Sequence, residues 1–192
     1  LNALKVSGRT KNGLGVGIFN DITKKTEFKI KYINTNETLR EEVEPLSNYN
    51  ILVVDKQFNG NSAVSLINTN VMREGSFRDA NVTALRTDLV NKKNTFRLVT
   101  EAKMSHVNYQ FDDPENGFSS FLFVGKVAGN LRYSFDHSYA DTKYEINDLG
   151  LQFRNNFNNF GADISYQIFE PKGKLNNYRF NAFINYRMLA DP

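Results

Sequence analysis

The sequence predicts an all-β chain, specifically a segment of an antiparallel up-and-down transmembrane β-barrel contributing roughly twelve strands to a larger barrel. Three observations carry this expectation. Short segments place apolar residues at every second position, the connections alternate between short and long, and the composition favours strands and tight turns. Phe (16) and Tyr (9) suit a pleated surface, and only 4 Pro interrupt it. Asn, which tolerates the left-handed backbone of tight hairpins, recurs throughout. Residues 1–192 are read as a single domain.

Taken in order, strands are expected near 1–9 and 14–20, where Leu14, Val16 and Ile18 alternate with Gly15 and Gly17. Near 26–33, Phe28, Ile30 and Tyr32 alternate with Lys29 and Lys31. The segments near 49–58, 62–72 and 117–127 carry apolar residues on both faces and read as strands covered on two sides. A strand near 80–90 leads to one near 95–107, with Phe96, Leu98, Ala102 and Met104 opposite Arg97, Glu101 and Lys103. Near 130–140, Leu131, Tyr133, Phe135, His137 and Tyr139 oppose Arg132, Ser134, Asp136 and Ser138. Near 148–155, Leu149, Leu151 and Phe153 oppose Gly150, Gln152 and Arg154. Near 160–169, Phe160, Ala162, Ile164, Tyr166 and Ile168 oppose Asp163, Ser165 and Gln167. Near 175–188, Tyr178, Phe180, Ala182, Ile184, Tyr186 and Met188 oppose Arg179, Asn181, Asn185 and Arg187. Strict alternation is the mark of a strand with unlike faces, because side chains switch sides at each residue.

The connections give the strongest argument. Short ones (59–61, 91–94, 128–130, 155–159) alternate with longer ones (73–79, 108–116, 140–147, 170–174), and 34–47 falls in phase with the long set. A meander puts successive connections at opposite ends, so alternating length predicts two unlike ends, as in outer-membrane barrels. About twelve strands would enclose a space too wide for apolar side chains to fill, which places polar residues inside and apolar ones toward lipid. The expected lipid-facing set is Leu131, Tyr133, Phe135, Leu149, Leu151, Phe153, Ile164, Tyr166, Phe180, Ile184 and Tyr186. The expected lumen-facing set is Arg132, Asp136, Arg154, Asp163, Arg179 and Arg187.

Mean hydropathy of −0.49 and the lack of any run of about 18 apolar residues argue against a spanning helix. A barrel strand needs apolar residues only at alternate positions, so it escapes that argument. The formal charge of +3 comes from 24 basic and 21 acidic residues spread along the chain, unlike the concentrated basic face of a nucleic-acid binder. No nucleic-acid partner is expected. The absence of Cys removes disulfide frameworks and thiolate metal sites.

The stretch NYNILVVDKQFNGNSAVSLINTNVMREGSFRDANVTAL (48–85), with 13–27, 148–160 and 164–178, resembles the C-terminal barrel region of a family of uncharacterised outer-membrane proteins. Members often carry an N-terminal domain resembling family 9 carbohydrate-binding modules. The resemblance implies a location in the outer membrane of a Gram-negative bacterium and outer-membrane lipid as partner. It also implies carbohydrate contact through a domain outside this chain, which is then an internal fragment.

No catalytic, cofactor-binding or metal-ligating set is expected. GLGVG (13–17) lacks the spacing of a dinucleotide loop and is followed by no helical pattern. His106 and His137 stand apart in sequence without convergent partners, and Asp112, Asp113 and Glu115 read first as a turn around Pro114. The expected role is that of a pore, transport component or membrane anchor. Two alternatives stand beside it. One is a barrel-borne surface hydrolase acting on carbohydrate or peptide. The other is a soluble β-sandwich carbohydrate-binding module, with Tyr109, Phe111 and Tyr144 as a sugar-stacking platform.

Overall fold

A computed structural model describes residues 2–34, 36–168, 170–171, 173 and 176–192. Its strands are β1 (Asn2–Arg9), β2 (Leu14–Thr23), β3 (Thr26–Lys31), β4 (Thr38–Glu44), β5 (Ser47–Phe58) and β6 (Ser62–Arg73), continuing with β7 (Asp79–Val90), β8 (Phe96–Asn108), β9 (Glu115–Lys126), β10 (Leu131–Ala140), β11 (Phe157–Ile168) and β12 (Tyr178–Met188). Ten of them form one antiparallel sheet in the order β1-β2-β5-β6-β7-β8-β9-β10-β11-β12, and β3 and β4 form a separate hairpin. No helix occurs among the described residues. The all-β, up-and-down expectation holds. The sheet is open, with no ladder between β1 and β12, so no closed barrel is seen.

Two differences from the expected strand set have local causes. The strand expected over 26–33 is β3, but the connection expected at 34–47 contains β4, its hairpin partner. The hairpin separates from the main sheet because Pro45 cannot donate to a ladder. The β2–β5 ladder stops at the Thr23–Ser47 pair, and Ser47 Oγ donates to the Pro45 carbonyl at 3.1 Å.

The strand expected over 148–155 does not form. Residues 141–156 are a single long connection between β10 and β11, called the strap below. Its alternation of Leu149, Leu151 and Phe153 is defeated by tighter local bonds. The Gln152 N–H donates to Asn147 Oδ1 at 2.6 Å, and the Leu149 N–H donates to the Ile146 carbonyl at 3.3 Å. Leu149, Leu151, Phe153 and Arg154 therefore have no strand face, and Phe153 stands 92% exposed.

Losing that strand also moves the last connection. The turns at 10–13, 59–61, 91–95 and 127–130 lie at one end of the sheet, and those at 24–46, 74–78, 109–114 and 141–156 lie at the other. The β11–β12 connection at 169–177 joins the short-turn end, so the expected alternation fails there. Residues 169, 172, 174 and 175, at this connection and the strand ends beside it, lie outside the described residues, as do residue 1 of the first expected strand and residue 35 of the connection expected at 34–47.

Asparagine serves the turns as its composition suggests. Asn36, Asn59, Asn94 and Asn156 have positive φ, and Asn59 is followed by Gly60 at φ 78°. A Cβ at Gly60 would meet nothing within 4 Å, so only the backbone preference opposes substitution. Gly60→Val should cost about 1–2 kcal/mol in denaturant unfolding, through the left-handed penalty alone. At Gly117 the opposite holds: a Cβ would lie 2.3 Å from the Tyr144 Cα, against strap backbone that cannot swing away. Gly117→Val should displace the strap and cost about 1–3 kcal/mol, while Gly8→Ala, with open space around it, should stay within about 0.5.

Candidate functional site

The candidate site is the sheet itself, one face of which is apolar and uncovered while the other holds its charged side chains. Cross-strand register fixes which residues share a face. On one face, Val16, Val54, Leu66 and Leu85 are successive neighbours across β2, β5, β6 and β7. A lower row runs Leu89, Leu98, Val124, Phe135, Ala162 and Ile184 from β7 to β12. The next pairs Tyr133 with Ile164, and another pairs Leu131, Tyr166 and Phe180. Their side chains stand uncovered: Leu66 is 46% exposed, Leu85 49% and Ile184 68%. Strands touch their ladder neighbours, and among the described residues no second layer packs on this face. The uncovered apolar area is on the order of 1,500 Å², several times the few hundred that a water-exposed monomer tolerates.

This apolar band has polar margins. At the long-connection end, Asn20, Asn50, Asn70 and Asn81 are successive cross-strand neighbours, continuing through His106 and Asn116. The amides bond among themselves: Asn20 Nδ2 donates to Asn48 Oδ1 at 2.6 Å and to Asn50 Oδ1 at 2.8 Å. Asn68 Nδ2 donates to Asn81 Oδ1 at 3.0 Å, and His106 Nδ1 lies 2.8 Å from Asn116 Oδ1. His137 belongs to the same face, with Nε2 2.7 Å from Asn158 Oδ1 and its ring against Phe160. Neither histidine joins an acid cluster, and no group of three metal-ligating side chains occurs among the described residues.

At the short-turn end, the margin is marked by Lys56 on β5 and Lys126 on β9. The row through Lys56 passes Val64, Thr87 and Thr100 to Leu122, four residues short of Lys126. The margin thus retreats one residue per strand. Four residues rise about 14 Å and four strand spacings cover about 19 Å, so a level line crosses the strands at a tilt of about 35°. Tyr178 on β12 lies four residues beyond the row of Lys126, three strands on, close to the same slope.

The opposite face carries the ion pairs of the sheet but is mixed, since Val53, Ile67, Val71, Val99, Phe121 and Phe123 share it by register, as the apolar residues on both sides of 49–58, 62–72 and 117–127 lead one to expect. Arg9 meets Asp55 at 2.8 Å, and Glu101 receives Arg86 at 3.1 Å and Lys103 at 2.8 Å. Arg97 pairs with Asp88. Arg86 and Glu101 are direct cross-strand neighbours, Arg97 and Asp88 are diagonal ones, Lys103 lies two residues from Glu101 on β8, and Arg9 reaches Asp55 across Gly15 of the intervening β2.

The structure places Arg132, Asp136, Asp163, Arg179 and Arg187 on this polar face. It places Leu131, Tyr133, Phe135, Ile164, Tyr166, Phe180, Ile184 and Tyr186 on the apolar one. Leu149, Leu151, Phe153 and Arg154 belong instead to the strap. The sequence reading missed Arg9, Asp55, Arg86 and Asp88 as members of the charged wall. No local pattern marks them, since their partners are set by register. GLGVG opens β2, with Gly15 and Gly17 on the polar face, and Asp112 and Asp113 are exposed in the 109–114 connection.

The strap lies across the polar face at the long-connection end. Tyr144 is buried, with its Cα over Gly117 of β9 and its ring 5.7 Å from Lys103 Nζ of β8. Burial, and then the Glu101 carboxylate, push its hydroxyl above the usual phenol range, so it stays neutral. The Glu145 N–H donates to Ser105 Oγ at 3.1 Å. Asp148 reaches Arg73 of β6 at 2.8 Å and Arg78 of the β6–β7 connection at 3.0 Å.

Comparison with known proteins adds a family and nothing more. No curated protein and no solved structure matches the chain. A family model described as Domain of unknown function (DUF5916) matches residues 1–192, and the chain belongs to that family.

Proposed function

We propose that this sheet is a wall segment of a transmembrane β-barrel in the outer membrane of a Gram-negative bacterium, serving as a pore, transport component or membrane anchor. The observation that carries the reading is the uncovered apolar band spanning the sheet, whose short-turn margin steps one residue per strand from Lys56 on β5 to Lys126 on β9. That step implies a strand tilt of about 35°, within the range for membrane barrels. On β8 the band runs from Phe96 to Met104, and eight rises at this tilt give a height of about 22 Å, close to the ~25 Å apolar band of such barrels.

The rest follows from lipid as solvent. In hydrocarbon each backbone N–H and C=O must be paired, which the ladders achieve everywhere except along the outer edges of β1 and β12. In this reading those edges pair with further strands that complete the barrel. Asn20 and Asn50 meet the headgroup zone at β2 and β5, from where the asparagine row rises beyond it along the tilted strands, and Lys56 and Lys126 extend their ammonium groups to the opposite interface. The ion-paired face lines the interior, where its charges would act on a passing solute.

The test substitutes one residue on each face of the full-length protein. Leu85→Arg should cost about 2–4 kcal/mol of stability in the bilayer and reduce recovery in carbonate-washed outer membrane. Ser138→Arg, on the polar face, should be recovered like the parent. If Leu85 faces water, the substitution should stay within about 0.5 kcal/mol and the protein should stay out of the membrane fraction. That outcome, with gel migration unchanged by boiling, would sink the reading.

A further inference from the structure

We infer that residues 141–156 form an internal constriction, a strap held across the polar face and released by breaking the Asp148 clamp. The inference rests on the membrane-barrel reading and adds to it a device that sets the width of the passage.

The first observation is where the strap lies. It leaves β10 at Ala140, seats Tyr144 on β9 and Glu145 on β8, and reaches Arg73 at the end of β6. That path crosses four strand spacings, about 19 Å of wall. Gly117, Ser105, Lys103 and Arg73 all belong to the polar face by register. A connection of this length in an outer-membrane barrel has the solvent beyond the rim available to it. This one is bonded to the inside of the wall instead.

The second observation is how it is held. Three attachments of different character follow one another along the chain. Gly117 offers a seat that only a missing side chain provides, with the Tyr144 backbone filling the space of a Cβ. Ser105, almost completely buried, accepts the Glu145 N–H. Asp148 closes the far end between two guanidinium groups, with its side chain 6% exposed. A carboxylate so shielded from water needs both arginines, and the arginines in turn need it. Past the clamp the chain is free of the wall: Leu151 and Phe153 are 73% and 92% exposed. The return is tied at its base, where Asn155 Nδ2 donates to the Thr142 carbonyl at 2.7 Å and the Asn156 N–H donates to the Asp141 carbonyl at 3.0 Å. The strap is therefore a loop hinged at one side of the wall and latched at the other. Removing the latch leaves the base intact.

The experiment uses the full-length protein in planar bilayers, and compares the parent with Asp148→Asn. The substitution keeps the size of the side chain and removes the charge that holds both arginines. Single-channel conductance should rise at least about twofold as the strap leaves the passage. Trypsin should also cut at Arg154 faster than in the parent. A second variant guards against misfolding. The chain contains no Cys, so Ser105→Cys with Glu145→Cys supplies its only thiol pair. Added to Asp148→Asn, this pair should return conductance to the parent value when oxidised and release it when reduced. An inserted, heat-modifiable Asp148→Asn protein with parental conductance overturns the strap and leaves the barrel standing. Failure of the parent itself to insert overturns the barrel reading and the strap with it.

Discussion

The constraint on which everything else depends is that this chain places ten strands in one layer. A sheet satisfies its own backbone through its ladders, but a single layer cannot cover its own faces. Soluble β-proteins solve this with a second sheet or with helices, and neither packs here among the described residues. What remains is to match each face to a different medium. The sequence does so most cleanly at β10 and β11, whereas on β5, β6 and β9 the charged face also carries Val53, Ile67, Phe121 and Phe123. The ladders are also what make the pattern collective. Once Val16 is opposite Val54, and Val54 opposite Leu66, the rest of each strand has no freedom to choose a face.

The polar face carries a second consequence of that register. Arg86 meets Glu101 because adjacent strands deliver them to opposite positions, and Arg9 meets Asp55 two strands away because Gly15, between them, leaves the space open. Their side chains are only partly covered, so each pair contributes modestly to stability and weakens as salt rises. The Asp148 clamp is different in kind. It is shielded from water, holds two cations against one anion, and joins segments more than sixty residues apart in sequence. It acts as a fastening where the wall pairs act as lining.

The fold was legible in the sequence to the extent that its signal is local. Alternation within LRYSFDHSY and NYRFNAFINYRM depends on neighbours two residues away, and the structure puts those residues on strands with the expected division of faces. The same rule misled at DLGLQFR, because alternation says nothing about where the backbone bonds go. Asp148 is claimed by two distant arginines, and Asn147 takes the Gln152 N–H. Hairpin β3–β4 shows the converse. TLREEVE has weak alternation and four charges, and it becomes a strand because β3 lies beside it. The wall's ion pairs were out of reach altogether, since each requires a register that no single strand encodes.

Gly117 joins these threads. Within β9 it reads as a flaw, a residue with poor strand preference and no side chain to contribute. Its neighbours on the polar face are Ser105 and Ser119, both small and buried. Together they form a shallow place in the wall, and the strap backbone fills it at Tyr144. A strand needing only to separate two media would gain by carrying Val or Thr there. The glycine makes sense when the wall must also receive a segment of chain, which is why the seat on β9 and the clamp on β6 are best understood as two ends of one arrangement.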